Sequence, residues 1–230
     1  GMFLNDAFDA EIDARERANR PIPMGEVSRG VVFAAGFGML ALGALLGFAL
    51  GTQAGIAGLG LTAAIILYDW LHKRTVLSPV IMGACRLLTY VMAAYAAGGP
   101  TVALWLGAFG LFCHVVGLTY AAKQEAYNRI EAAWPLAVMA VPVVIAATFL
   151  NGYVASLLLA GYAAWCGWAL SLLFRRRPGD VPKAVVSLIA GVSLFDGVMI
   201  AGAGSTWLAL LAVVGFAATL ALQKVAPGTS

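Results

Sequence analysis

Four oxygen-bearing side chains near the start of the sequence are spaced so that a helix would bring them together. Asn5, Asp9 and Asp13 stand at i, i+4 and i+8, and Asp6 lies three positions before Asp9. Carboxylates on one helix face repel each other unless a cation lies among them, and Mg²⁺ prefers hard oxygen ligands of this kind. The spacing therefore predicts a Mg²⁺ site at these four residues, and the alternative is a solvated acidic helix end.

The rest of the sequence must position this acidic face, and its composition indicates a membrane protein. Of its 230 residues, 62% are hydrophobic and only 11% are charged, and the mean hydropathy is +0.90. Soluble domains are about 45–50% apolar and about 25% charged. The formal net charge of +3 is modest, and we expect membrane lipid but no nucleic acid as a partner.

Apolar stretches close to the ~20 residues needed to cross a bilayer recur about eight times. Charged and uncharged connections alternate between them, which supports this count. Because Lys and Arg are enriched on the cytoplasmic side of membranes, the acidic face is predicted to face the cytoplasm, in an inner or plasma membrane. The predicted spans are 31–51, 55–71, 79–97, 102–120, 132–150, 153–174, 183–203 and 206–223.

The predicted fold class is all-α, a polytopic transmembrane helical bundle that forms a single domain over residues 1–230. Residues 1–29 carry the acidic face and a loop, and residues 31–223 hold the membrane helices. Residues 1–4 look like the last turn of an apolar helix that begins upstream, so we expect a truncated sequence.

Two motifs in this sequence resemble those of a known family. Residues 5–13 read N-D-x-x-D-x-x-x-D and residues 19–23 read N-R-P-I-P, which resembles the first signature of the UbiA superfamily of intramembrane prenyltransferases. The run 68–83, with Y-D, K-R, S-P and M-G in order, is similar to that family's lysine-arginine loop. The resemblance covers essentially the whole chain, although the family's first helix and most of its second would be missing.

The resemblance implies a UbiA-like bundle and Mg²⁺-dependent transfer of a prenyl group from a polyprenyl diphosphate to a lipophilic acceptor, often an aromatic ring. Ionising an allylic diphosphate places negative charge on the departing pyrophosphate, which metal ions and fixed cations stabilise. The implied catalytic residues are Asp9, Asp13 and Lys73, with Asn5 and Asp6 completing the metal site. The implied substrate-binding residues are Arg20, Lys73, Arg74, Arg86 and Lys123.

Some of these basic residues have a simpler interpretation. Lys73 and Arg74 could act only as positively charged anchors at the membrane surface. Arg86 lies seven residues past Pro79, ~10 Å along a helix, where charged residues usually face a cavity or pair with another charge. We expect Arg86 either to point into the mouth of the site or to pair with Asp69.

The sequence departs from the family at its second acidic motif. The family carries a cluster built around D-x-x-x-D, whereas the equivalent stretch here, residues 120–128, keeps only Glu125, between Gln124 and Asn128. Glu125 is therefore the predicted metal ligand of this stretch, and a second Mg²⁺ would be held weakly. This weakness leaves a second functional class open, a non-catalytic protein that binds or transports isoprenoids or other lipids on the same fold.

Overall fold

The computed structural model describes residues 1–127 and 133–225, without the side chains of residues 124–127, 134, 135 and 225. All regular structure in these ranges is helical. A 3-10 helix, Trp134–Met139, precedes α6. The α-helices are α1 (Met2–Glu16), α2 (Arg29–Leu50), α3 (Thr52–Leu71), α4 (Ser78–Ala96), α5 (Val102–Tyr127), α6 (Ala140–Thr148), α7 (Gly152–Arg175), α8 (Asp180–Gly202) and α9 (Thr206–Val225).

Seven of these helices are long and apolar enough to cross a membrane, namely α2, α3, α4, α5, α7, α8 and α9. Each coincides within a few residues with a predicted span, apart from the C-terminal extension of α5. The prediction of an all-α, multi-pass integral membrane protein is therefore confirmed.

The one predicted span that these seven helices do not match is 132–150, which is not a single α-helix among the described residues. It consists of the 3-10 helix and the nine residues of α6. Pro142 has no N–H to donate to the carbonyl four residues earlier, so a continuous α-helix would lack a hydrogen bond at this position. The prediction is correct in the apolar composition of this stretch and wrong in expecting one membrane-spanning helix.

The chain divides into two compact units, residues 1–101 and residues 102–230, and the prediction of one domain stays a prediction. In the first unit, α1 packs on α2, α2 on α3, and α3 on α4. Leu4 and Ala7 of α1 are fully buried. Gly36 of α2 permits this approach, since a Cβ there would lie 2.6 Å from Leu4 Cδ2. The short α1 is thus anchored by its apolar side.

In the second unit, α8 packs against α5, α7 and α9. A fully buried histidine, His114 on α5, joins three of these helices. Its Nδ1 accepts from the Tyr162 hydroxyl at 2.8 Å, and its Nε2 donates to the Leu188 carbonyl at 2.8 Å. Every nitrogen of this ring is therefore used in holding helices together.

Candidate functional site

The acidic residues of the first motif lie on α1, as the spacing predicts. Asp9 and Asp13 are buried, being 6% and 3% exposed, and the Asp6 side chain is 50% exposed. Charged side chains are almost never buried unless they are paired. The partners of these carboxylates therefore decide what the motif can do.

One arginine bridges two of the carboxylates. Arg20 Nη1 donates to Asp6 Oδ1 at 2.8 Å and to Asp13 Oδ2 at 3.0 Å. Arg20 belongs to a tight series of turns between α1 and α2, in which the Met24 amide donates to the Arg20 carbonyl and the Gly25 amide to the Ile22 carbonyl. The chain folds back over the end of α1, which brings Arg20 to residues seven and fourteen positions earlier.

The third carboxylate faces two basic residues that follow α3. Asp9 Oδ2 lies 2.9 Å from Lys73 Nζ and 3.2 Å from His72 Nε2. Burial alone would raise the pKa of the Asp9 carboxyl, but the hydrogen bonds and charges of His72 and Lys73 outweigh it and lower that pKa. Asp9 is therefore held in its charged form.

A fourth carboxylate comes from the last turn of α3. Asp69 is 4% exposed, and its backbone carbonyl lies 3.1 Å from His72 Nδ1. Its Oδ2 atom has no hydrogen-bond partner among the residues that the structure describes. The site therefore draws residues from α1, from the turns after α1, and from the end of α3.

These residues do not form a ready metal centre. Across residues 1–127 and 133–225, no three His, Cys, Asp or Glu side chains lie close enough together to hold a metal ion. The donor set nevertheless fits a hard divalent cation, because it consists of carboxylate and amide oxygens. The Arg20 nitrogen already lies between two of these carboxylates, where a positive charge is favourable.

A cavity of about 130 Å³ adjoins the Arg20 bridge. Its polar wall is formed by Asp6, Asp13 and Arg20, and the rest of its lining is apolar. The apolar lining residues are Phe3, Pro21, Ile22, Pro23, Val27 and Val32. The bridge thus has open space on one side, into which the guanidinium or a small ligand could move.

The other predicted residues are placed differently. Arg74 is exposed at the end of α3, and Arg86 is exposed on α4. Among the residues that the structure describes, Arg86 forms no ion pair with Asp69, whose Oδ2 has no hydrogen-bond partner there. Lys123 lies on α5 in the second unit, and Glu125 falls outside the residues whose side chains are described. The roles of these four residues stay predictions.

Two residues of the site, His72 and Asp69, are not among the predicted catalytic, metal-binding and substrate-binding residues. The predicted set takes Lys73 and Arg74 from this loop but not His72, and it includes Asp69 only within the run 68–83 and as an alternative partner for Arg86. The signal for both is helical spacing, since Asp69 precedes His72 and Lys73 by three and four positions. Side chains with this spacing share one side of the helix end.

Comparisons with known proteins identify a family for this sequence. The sequence model of the UbiA prenyltransferase family matches residues 1–174. The chain is 34% identical over 108 residues to digeranylgeranylglyceryl phosphate synthase of Methanothermobacter thermautotrophicus, which covers 46% of this chain and 38% of that protein. No solved structure matches the chain.

Further relatives carry the same name. The enzyme of Pyrococcus abyssi is 40% identical over 73 residues, or 32% of this chain and 26% of that protein. The enzyme of Thermococcus sibiricus is 27% identical over 134 residues, or 57% of this chain and 45% of that protein. The chain thus spans less than half the length of the curated relatives it matches.

Proposed function

This chain belongs to the UbiA prenyltransferase family, and from that membership we propose that it transfers a prenyl group from a polyprenyl diphosphate to a lipophilic acceptor. The observation that carries the proposal is the arrangement at α1, where three carboxylates are each paired with a basic side chain from outside the helix. Such a site can exchange its ion pairs for a metal ion and an anionic substrate.

We assign the cofactor as Mg²⁺, held by Asn5, Asp6, Asp9 and Asp13. When bound, Mg²⁺ would neutralise charge that develops on the diphosphate as the allylic C–O bond breaks. Hard oxygen donors and the favourable position of a positive charge between Asp6 and Asp13 support this assignment.

The basic residues have a second role once their carboxylates bind metal. Arg20 offers a planar fork that suits a diphosphate, and Lys73 offers a compact point charge. Both lie within hydrogen-bond distance of the acidic motif, so small side-chain movements bring them to an anion bound there. They stabilise the pyrophosphate as it leaves, which lowers the barrier to ionisation.

The acceptor we propose is a lipid with a glyceryl phosphate group. The relatives are named for the synthesis of digeranylgeranylglyceryl phosphate, which favours this class over the aromatic ring expected at first. The exposed basic residues Arg74 and Arg86 are candidates for contacts with its phosphate. We further propose that the site faces the cytoplasm, because the basic loop 72–74 adjoins it.

The test is pyrophosphate release from geranylgeranyl diphosphate in detergent, with Mg²⁺ and a geranylgeranylglyceryl phosphate acceptor. We expect metal-dependent release that Asp9→Ala abolishes. The matched control is Glu11→Ala, since Glu11 lies on the same helix but is exposed and pairs with Arg29 outside the site. Unchanged turnover in Asp9→Ala would overturn the proposal.

The same experiment separates the non-catalytic alternative. A lipid carrier would bind the prenyl diphosphate without releasing pyrophosphate, and Asp9→Ala would leave transfer of lipid between vesicles unaffected. Release of pyrophosphate with an aromatic acceptor but not with the glyceryl phosphate would correct the acceptor and leave the reaction type in place.

A further inference from the structure

The turn between α7 and α8 concentrates the positive charge of this chain. Residues 175–183 contain four basic residues and one acidic residue, a net charge of +3 that equals the formal net charge of the whole sequence. The other residues together are therefore electrically balanced. Because α7 and α8 are both long and apolar enough to cross a membrane, the turn that joins them lies at a membrane–water boundary. Positive charge at such a boundary attracts anionic lipid headgroups.

Only part of this charge holds the turn together. Asp180 accepts from Arg175 Nε and Nη2 at 2.8 and 2.6 Å and from the Arg177 amide at 3.0 Å. The side chains of Arg176 and Arg177 are exposed, and they make no ion pair or hydrogen bond within residues 1–127 and 133–225. Asp180 therefore neutralises Arg175 and leaves two guanidinium groups for a ligand.

The backbone at Arg176 has a conformation that favours glycine. Its φ of 54° and ψ of 35° are left-handed, and within the described part of the chain no other residue except glycine has a positive φ. Just after α2, α4 and α8 the positive φ is supplied by Gly51, Gly98 and Gly204. A side chain at such a helix end strains the backbone, which glycine avoids. A strained residue of this kind indicates that its side chain has a function.

An aromatic surface adjoins the basic turn. Trp168 is exposed on α7, eight residues before Arg176 or ~12 Å along the helix, and Lys183 Nζ lies 5.5 Å from the centroid of its ring. Its position is fixed by Trp165, whose ring centroid is 5.0 Å away and whose Nε1 donates to the Ser187 carbonyl of α8 at 2.7 Å. Tryptophan is enriched at this level of a membrane, below the headgroups. A basic rim above an aromatic surface matches a phosphate with an apolar chain.

We propose that the turn between α7 and α8 binds an anionic phospholipid of the surrounding bilayer. Arg176 and Arg177 bind its phosphate, for which the planar guanidinium fork is suited, and its apolar part lies along Trp168. A zwitterionic choline lipid fits less well, because its own cation would face the arginines. The proposal does not depend on prenyl transfer, since none of these residues is assigned to the reaction.

The experiment is native mass spectrometry of the protein in detergent, titrated with dioleoylphosphatidylglycerol or dioleoylphosphatidylcholine. The two lipids have the same chains and differ in headgroup charge, and we expect the first phosphatidylglycerol to bind more tightly. The double variant Arg176→Gly/Arg177→Gln should bind phosphatidylglycerol about 25-fold more weakly, about fivefold for each arginine removed. Equal affinity of the parent for both lipids, or an unchanged affinity of the double variant, would overturn the proposal.

The matched control is Arg15→Gln/Arg17→Gln, which removes the same charge from the end of α1. Both arginines are exposed, but they stand in a stretch, residues 5–20, that has five acidic and three basic residues. This variant should keep the parent's affinity for phosphatidylglycerol. An equal loss in the two double variants would mean that binding follows net charge alone, which contradicts a site at the turn.

The single variants separate the charge of the turn from its stability. Arg176→Gly should raise the melting temperature in a nonionic detergent, because glycine adopts the positive φ without strain, and should nevertheless weaken phosphatidylglycerol binding. Arg177→Gln should weaken binding at an unchanged melting temperature. If Arg176→Gly lowers the melting temperature and keeps the lipid affinity, the side chain serves the fold and the proposal is wrong.

A soluble competitor identifies the source of the anion. Glycerol phosphate carries the phosphate without acyl chains, and polyglutamate represents an acidic protein partner. We expect neither to displace phosphatidylglycerol at matched concentration, because both lack the part that contacts Trp168. Displacement by glycerol phosphate would replace the lipid with a free anion, and displacement by polyglutamate would replace it with an acidic protein.

Discussion

The two units of the chain use charged and polar side chains in opposite ways. In the second unit, Asp180 receives two bonds from Arg175 and a third from the Arg177 amide. In the first unit, a single nitrogen of Arg20 serves two carboxylates, and Asp69 Oδ2 has no hydrogen-bond partner within the described part of the chain. The carboxylate oxygens of Asp180 all have hydrogen-bond partners, whereas the site in the first unit has too few donors for its carboxylate oxygens.

The difference separates polar contacts that only hold the fold together from those that are able to bind a ligand. A satisfied pair or ring, such as His114 with Tyr162 and Leu188, leaves nothing for a ligand to bind. Arg20, which is shared between Asp6 and Asp13, can release one carboxylate while it keeps its hydrogen bond to the other. Under-satisfied groups beside a cavity are therefore the better guide to a binding site.

The largest effect should come from Arg20→Ala. For the proposed prenyl transfer, we expect turnover to fall about 100-fold, because the reaction would lose one cationic donor to its leaving pyrophosphate. The increase in melting temperature on adding Mg²⁺ should be larger than in the parent, since Asp6 and Asp13 have then lost their internal cation. Arg175→Ala is the control, and it should lower stability without changing the response to Mg²⁺. An equal Mg²⁺ response in both variants would contradict the distinction between the units.

His114→Phe tests the structural side of the comparison. We expect a loss of about 2–3 kcal/mol in the free energy of unfolding, since the Tyr162 hydroxyl and the Leu188 carbonyl lose their partner in a buried position. Tyr162→Phe removes only one of the two bonds and should cost about 1 kcal/mol. Unfolding in a mild detergent titrated with a denaturing one measures both. Turnover per folded molecule should be unchanged, and a specific loss of turnover would give His114 a functional role.

Gly36→Ala moves α1 without changing any charge. The added methyl group meets Leu4, which is fully buried, and overpacking of this kind costs about 1–3 kcal/mol. We expect a weaker response of melting temperature to Mg²⁺, because the carboxylates shift with α1. Gly43→Ala is the control on the same helix, where a Cβ meets open space, and it should stabilise slightly. Identical behaviour of the two variants would show that the position of α1 is not critical.

The smallest effect concerns acid stability in EDTA. Because the folded state lowers the pKa of Asp9, its ion pairs stabilise the fold above the ordinary carboxyl pKa of about 4. This contribution is lost as the pH falls through the lowered folded-state pKa. The melting temperature of the parent should therefore decrease more between pH 7 and pH 3 than that of Asp9→Asn. Parallel decreases would mean that the pairs with His72 and Lys73 contribute nothing.

Much of the fold could be predicted from the sequence, because it depends on local properties. The length of the apolar runs indicates the helices, and the i, i+4 spacing places Asp9 and Asp13 on one helix. The pairing of Arg20 with Asp6 and Asp13 could not be predicted, since it depends on how the turns after α1 fold back. The place of Asp69 beside α1 could not be predicted either, since it depends on the packing of α1 on α3, two helices that are far apart in sequence.

The Arg20 bridge has a consequence for the order in which ligands bind. Both of its contacts to carboxylates use Nη1, while Nε and Nη2 make no hydrogen bond within residues 1–127 and 133–225. A diphosphate can therefore bind to the outer edge of the guanidinium before the carboxylates are released. Substrate and metal then need not arrive in a fixed sequence, and initial-rate kinetics with both varied would follow a random rather than an ordered scheme.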